Sequence, residues 1–68
     1  MGEQLNELER HIVQLAKRNL CRDEILSIAG EGMFTRKEVQ AAFTKLKKDG
    51  TIYQVDDYDR FGRRMWGA

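Results

Sequence analysis

Apolar residues return along this chain with a helical period three times, and the pattern then changes to a short extended run. Leu5, Leu8, Ile12, Leu15 and Ala16 form the first stripe, widened by Val13. Glu7, Arg10, Gln14, Lys17 and Arg18 occupy the opposite face, so the spacing predicts a helix of about 14 residues starting at Leu5. Asn19-Leu20-Cys21 interrupts it. Asp23 and Glu24 then stand where negative charge meets the positive end of a second, shorter helix. Ile25, Leu26, Ile28 and Ala29 are its candidates for burial, and Gly30-Glu31-Gly32 ends it.

The third helix has the strongest signals. Thr35 is a good N-cap, and Glu38 three residues later completes a capping box. Phe34 and Val39 are placed to form a hydrophobic staple across that start. Val39, Ala42, Phe43 and Leu46 make one apolar stripe, Lys45, Lys47 and Lys48 gather near the end, and Gly50 suits the left-handed stop. A β-type run over Thr51 to Val55 follows at once. Asp56-Asp57-Tyr58-Asp59 is expected as a polar turn, and Phe61 to Trp66 as the returning antiparallel strand, with Gly62 marking a bulge or a close backbone approach.

The expected architecture is mainly α with a small antiparallel β-hairpin. Two helices joined by a glycine-containing turn fit a helix-turn-helix. The whole order from Leu5 to Trp66 resembles the winged-helix superfamily, three helices plus a wing. That resemblance implies a very short strand between the first two helices, for which Leu20 or Cys21 is available. It also makes the third helix the recognition helix. One domain over residues 5–66 is expected, with residues 1–4 as a flexible N-terminus and 67–68 as a tail.

Composition narrows the classes. With 41% hydrophobic and 34% charged residues, a chain of 68 residues fits one small folded domain. No apolar run approaches the roughly 18 residues of a membrane span. Glu3, Glu7 and Glu9 stand where a signal peptide needs basic and apolar residues. The single cysteine, Cys21, permits no internal disulfide, so an intracellular location is expected, in cytoplasm, nucleoid or nucleus. The net charge of +1 hides a division. Residues 1–34 carry four basic against six acidic side chains, and residues 35–68 carry eight against five.

That asymmetry directs attention to the second half. Arg36, Lys37, Gln40, Thr44, Lys47 and Lys48 share the exposed face of the third helix. Such side chains donate to phosphates, and Arg36 and Gln40 are placed to read base edges from a major groove. The bland alternative is an ordinary solvated face. Arg60, Arg63 and Arg64, interleaved with Tyr58 and Trp66, could lie along phosphates or in a minor groove. Against this, Asp56, Asp57 and Asp59 at the expected wing tip repel phosphate, by about 1 kcal/mol for each pair near 4 Å in water. They suit a basic peptide instead. Trp66 and Met65 are read as core, the alternative being a surface hot spot.

His11 and Cys21 are each single, which leaves no metal-ligand set, and the aspartates lack the glycine and distal glutamate of an EF-hand loop. His11 is expected on a helix surface, and Cys21 buried as a small apolar residue. No nucleophile-base pair or phosphate-binding glycine loop is present, so the chain reads as non-enzymatic, without cofactor, metal or small-molecule substrate.

The segment KLKKDGTIYQVDDYDRF is similar to the C-terminal winged helix of the middle subunit of replication protein A. Gly50, Ile52, Tyr53, Asp56, Asp57 and Phe61 carry the likeness, with the acidic pair shifted by one position. The helix-glycine-Ile-Tyr segment also resembles the C-terminal winged helix of archaeal minichromosome maintenance helicases. The first resemblance implies capture of a helical peptide from a replication or repair protein, on Tyr53, Asp56, Asp57 and Asp59. Most winged helices bind duplex DNA through the third helix and wing, which implies Arg36, Lys37, Gln40, Lys47, Arg63 and Arg64. The expectation is therefore a binding module of DNA transactions (replication, repair or transcription regulation). Duplex DNA is the leading partner and a basic helical peptide the alternative.

Overall fold

A computed structural model describes residues 5–68, so the expected flexible N-terminus lies outside the described residues. The elements are α1 (Glu7–Lys17), α2 (Arg22–Ala29), α3 (Arg36–Asp49), β1 (Tyr53–Tyr58) and β2 (Arg64–Gly67). Three helices followed by an antiparallel hairpin give the arrangement of a winged helix-turn-helix.

The first helix starts later than its apolar stripe suggests. Asn6 caps it: the Glu9 amide donates to Asn6 Oδ1 at 2.7 Å, and the Asn6 amide donates to Glu9 Oε1 at 2.9 Å. Leu5 therefore precedes the helix. The same Glu9 is buried, and its other oxygen meets Lys45 of α3 at 3.1 Å. The Asn6 amide, joined by Lys45, holds the Glu9 carboxyl below its ordinary value against the opposing push of burial. One side chain thus caps α1 and ties it to α3. Asn19 ends the turn after α1 in the left-handed region (φ 58°), which asparagine tolerates better than most residues.

The third helix follows its local signals. The Thr35–Glu38 capping box forms, and Val39, Ala42, Phe43 and Leu46 are all buried. Gly50 stops the helix at φ 80°, a conformation in which a Cβ is strained. Of the candidates in α2, Ile25 and Ala29 are fully buried while Leu26 and Ile28 pack at the margin. The core joins these residues to Leu8, Ile12 and Leu15 of α1, and Ile52 and Trp66 close it from the hairpin.

The hairpin departs from expectation. Asp56, Asp57 and Tyr58 lie inside β1, and the turn begins only at Asp59. Asp59 builds it: its Oδ1 accepts from the amides of Phe61 (2.8 Å) and Arg63 (2.9 Å). Gly62 takes φ 77° with open space around it, so it serves the turn and not a close approach. Phe61 consequently sits in the turn, and the returning strand starts at Arg64. The irregularity falls in β1 instead. Gln54 pairs with Trp66 and Tyr58 with Arg64, so β1 advances four residues while β2 advances two. The Arg64 guanidinium donates to the Val55 carbonyl within that stretch, at 3.1 Å. Gly67, expected in the tail, is the last residue of β2 and pairs with Tyr53.

The expected short strand after α1 is a single bridge, Cys21 to Met65, extended by the Trp66 amide donating to the Leu20 carbonyl at 2.9 Å. β2 therefore lies between Cys21 and β1. Among the described residues, no helix is long and apolar enough to cross a membrane.

Candidate nucleic-acid interface

The exposed side of α3 carries Arg36, Lys37, Gln40, Thr44, Lys47 and Lys48, all open to solvent. Helical periodicity puts Arg36, Gln40 and Lys47 in one row and Lys37, Thr44 and Lys48 in the next, both turned from the apolar stripe. Lys45 projects elsewhere, toward Glu9 of α1.

Neighbouring elements extend this face. Arg36 and Gln40 share a shallow groove with Arg22, Asp23 and Leu26 of α2. Arg22 and Asp23 also border a second depression with Gln54, Arg64 and Trp66 of the hairpin. Gln54 and Trp66 in turn meet Lys47 and Tyr53 in a third. These depressions share their edges, so one continuous strip runs from the start of α2 across α3 to the wing. Arg22 and Gln54 belong to it although the sequence does not single them out. Arg22 is the first residue of α2 and lies over the Phe43 ring, 5.9 Å from its centroid. A helix start directly after Cys21 is the local signal for it. Gln54 has no such signal, since only its pairing with Trp66 turns it to this side.

The strip carries more basic than acidic side chains. Among the described residues, ion pairs involve only Lys45 and Arg63 as cations. Arg22, Arg36, Lys37, Lys47, Lys48 and Arg64 have no carboxylate partner among the described residues; Arg60 has none either, but it lines a separate depression with Phe61, Glu24 and Asp59. Asp23 and Glu31 line the α2 side of the groove beside Arg36 and are the opposing charges.

Arg63 differs from the other predicted contacts. Its Nε meets Asp59 Oδ2 at 2.8 Å, and its terminal nitrogen meets Glu24 Oε1 of α2 at 3.0 Å. This arginine fastens the wing to α2 and is not available as a free cation. The ligand atoms of Cys21, Glu24 and Asp59 lie within 4.8 Å of one another, but the Arg63 guanidinium already bonds both carboxylates. His11 is exposed on α1, and Cys21 is a buried free thiol.

The acidic candidates are divided by the same turn. Tyr53, Asp56 and Asp57 are exposed on β1, whereas Asp59 is drawn inward by Phe61 and Arg63. Desolvation at the turn pushes the Asp59 carboxyl up, but the amides of Arg63 and Phe61 and the Arg63 guanidinium together outweigh it. The group is held below its ordinary value. A carboxylate lowered in this way stabilises the folded wing above its unfolded pKa and loses that contribution as pH falls through the folded one. Acidification should thus move the Phe61 and Arg63 amide resonances with a midpoint below the ordinary aspartate range. An Asp59→Ala variant should show the acid-form wing spectrum already at neutral pH. A midpoint at or above the ordinary range would mean that Asp59 does not hold the turn.

No family model, curated protein or solved structure matches this chain. Its own architecture is three helices followed by an antiparallel hairpin, consistent with a winged-helix-like fold, with a cationic strip on the exposed side of the third helix.

Proposed function

We propose that the domain is a non-catalytic binding module of DNA transactions that holds duplex DNA with α3 and the wing. The observation that carries this reading is the unpaired cationic strip, where Arg22, Arg36, Lys37, Lys47, Lys48 and Arg64 meet no carboxylate among the described residues. In this reading α3 enters the major groove. Lys37, Lys47 and Lys48 lie along phosphates and fix the register. Arg36 and Gln40, in the N-terminal half of the helix, reach base edges, where arginine pairs with guanine and glutamine with adenine. Arg22 and Arg64 hold the backbone on either side. Repulsion of phosphate by the acidic wing is weaker than the sequence suggests, because Asp59 is consumed within the turn and Asp56 and Asp57 sit back along β1.

A second reading is favoured by the exposure of Tyr53, Asp56 and Asp57, a surface suited to a basic helical peptide from a replication or repair protein. The two separate in one titration. Isotope-labelled domain mixed with a short duplex should show amide shifts over residues 35–48 and 60–66, and at Arg22 and Gln54. These should weaken steeply with salt, because five phosphate contacts would give a slope of about −4.5 in log K against log salt. Silence across α3 would sink the duplex reading. A response to a basic peptide confined to β1 would then install the second.

A further inference from the structure

The wing carries a feature that phosphate contact does not use. Phe61 is 71% exposed at the tip of the turn. Exposed apolar residues are common singly, and Met33, Tyr53 and Tyr58 are others here, so exposure alone has no meaning. What sets Phe61 apart is the construction that displays it.

Asp59 Oδ1 accepts from the amides of Phe61 and Arg63, and its Oδ2 accepts from Arg63 Nε. The Asp59 amide donates to the Arg63 carbonyl, and the Gly62 amide donates back to the Asp59 carbonyl. Arg63 then anchors the turn to Glu24 and lies over the Phe61 ring, 4.9 Å from its centroid. Arg60 flanks the same ring at 5.9 Å. The backbone of the tip is set before any partner arrives, and the Arg63 guanidinium packs on the ring that it displays. Preorganisation of this kind lowers the ordering cost of binding.

The tip also has a defined chemistry. Arg60 has no ion-pair partner among the described residues, and the only carboxylate in the turn is already bonded. A large apolar ring flanked by the unpaired Arg60 guanidinium fits a partner with a narrow apolar slot bordered by anions. A base step seen from the minor groove is such a slot, with stacked bases inside and phosphates on both rims.

We infer that Phe61 is a wedge, entering the minor groove of the bound duplex and inserting between two base pairs while Arg60 contacts the adjoining backbone. This rests on the duplex-binding reading and adds a mode of action to it: the domain unstacks one step and bends the DNA. Flexible pyrimidine–purine steps such as TA are its preferred sites, because they unstack most easily.

The test uses a short duplex with 2-aminopurine at a central TA step, whose fluorescence rises when the base unstacks. Anisotropy of a terminal dye on the same duplex reports binding. The whole chain should raise the fluorescence several-fold at saturation. Phe61→Ala should abolish that rise and weaken binding about tenfold, the scale of one base–aromatic stacking contact. Phe61→Leu, which keeps an apolar wedge, should retain most of both. Because the ring is exposed, neither variant should alter the far-ultraviolet circular dichroism. Saturated anisotropy without a fluorescence rise overturns the wedge and leaves duplex binding standing. An equal rise with Phe61→Ala does the same. Flat anisotropy and flat fluorescence at low salt overturn both.

Discussion

Phe43→Ala should leave much of the protein unfolded at room temperature without denaturant. Phe43 is 3% exposed and meets Trp66 edge to face, with ring centroids 4.9 Å apart and planes at 75°. This contact joins α3 to β2, and Arg22 lies over the same ring. Truncating a buried phenylalanine costs about 3–5 kcal/mol through lost transfer energy and the cavity left behind. A 68-residue domain has a total stability of only about 3–10 kcal/mol at usual values per residue. A single substitution therefore removes a large part of the whole. Trp66, the one tryptophan, reports the outcome directly. Its emission should be red-shifted in the variant before urea is added, and the remaining transition should have a much lower midpoint. A midpoint close to the parent's would show that the surroundings collapse onto the gap and that this contact is not central.

Replacing Arg36, Lys37, Lys47 and Lys48 together with alanine should reduce duplex affinity at least a hundredfold at low salt. These side chains are exposed and unpaired among the described residues, so their removal should leave the fold intact. Every phosphate that goes unneutralised takes about 0.9 from the salt slope, so losing the contacts of Lys37, Lys47 and Lys48 should flatten it by about 2.7. The slope is the decisive reading. A drop in affinity at unchanged slope would come from damaged structure, not from missing phosphate neutralisation. A matched variant with Arg10, Lys17 and Arg18 changed to alanine lowers the net charge comparably, yet these residues lie on α1 and at its C-terminal cap, outside the strip. It should bind nearly as well as the parent. Equal weakening in both variants would reduce the interface to overall charge, and unchanged binding in the first would end the duplex proposal.

The parts of the fold legible in the sequence are those set by short-range rules. Thr35 with Glu38, the stripe from Val39 to Leu46 and Gly50 act within a few residues of one another, and α3 has the limits they imply. The hairpin is less legible because cross-strand pairing decides it. Aspartates favour turns, so the run from Asp56 suggests one, but only Asp59 has amides positioned to receive its carboxylate. The start of α1 is obscured by Leu5, whose apolar side chain prolongs the stripe beyond the Asn6 cap. Arg63 reads as one of three wing arginines because Glu24, its second partner, is 39 residues away. Arg22 and Gln54 likewise join the candidate interface only through tertiary packing.

The place of β2 in the sheet has a consequence for how the domain assembles. The last strand in sequence inserts between Cys21 and β1, and the Asn19 side chain bonds the Trp66 carbonyl across 47 residues. The three helices cannot finish their core first and add the hairpin afterwards, since Trp66 is part of that core. A stretch of 47 residues, about two-thirds of the chain, must close into a loop before this long-range contact offsets the entropy given up in closing it. Folding should therefore be cooperative from end to end and slower than in a simple bundle of three helices, with no separately stable half.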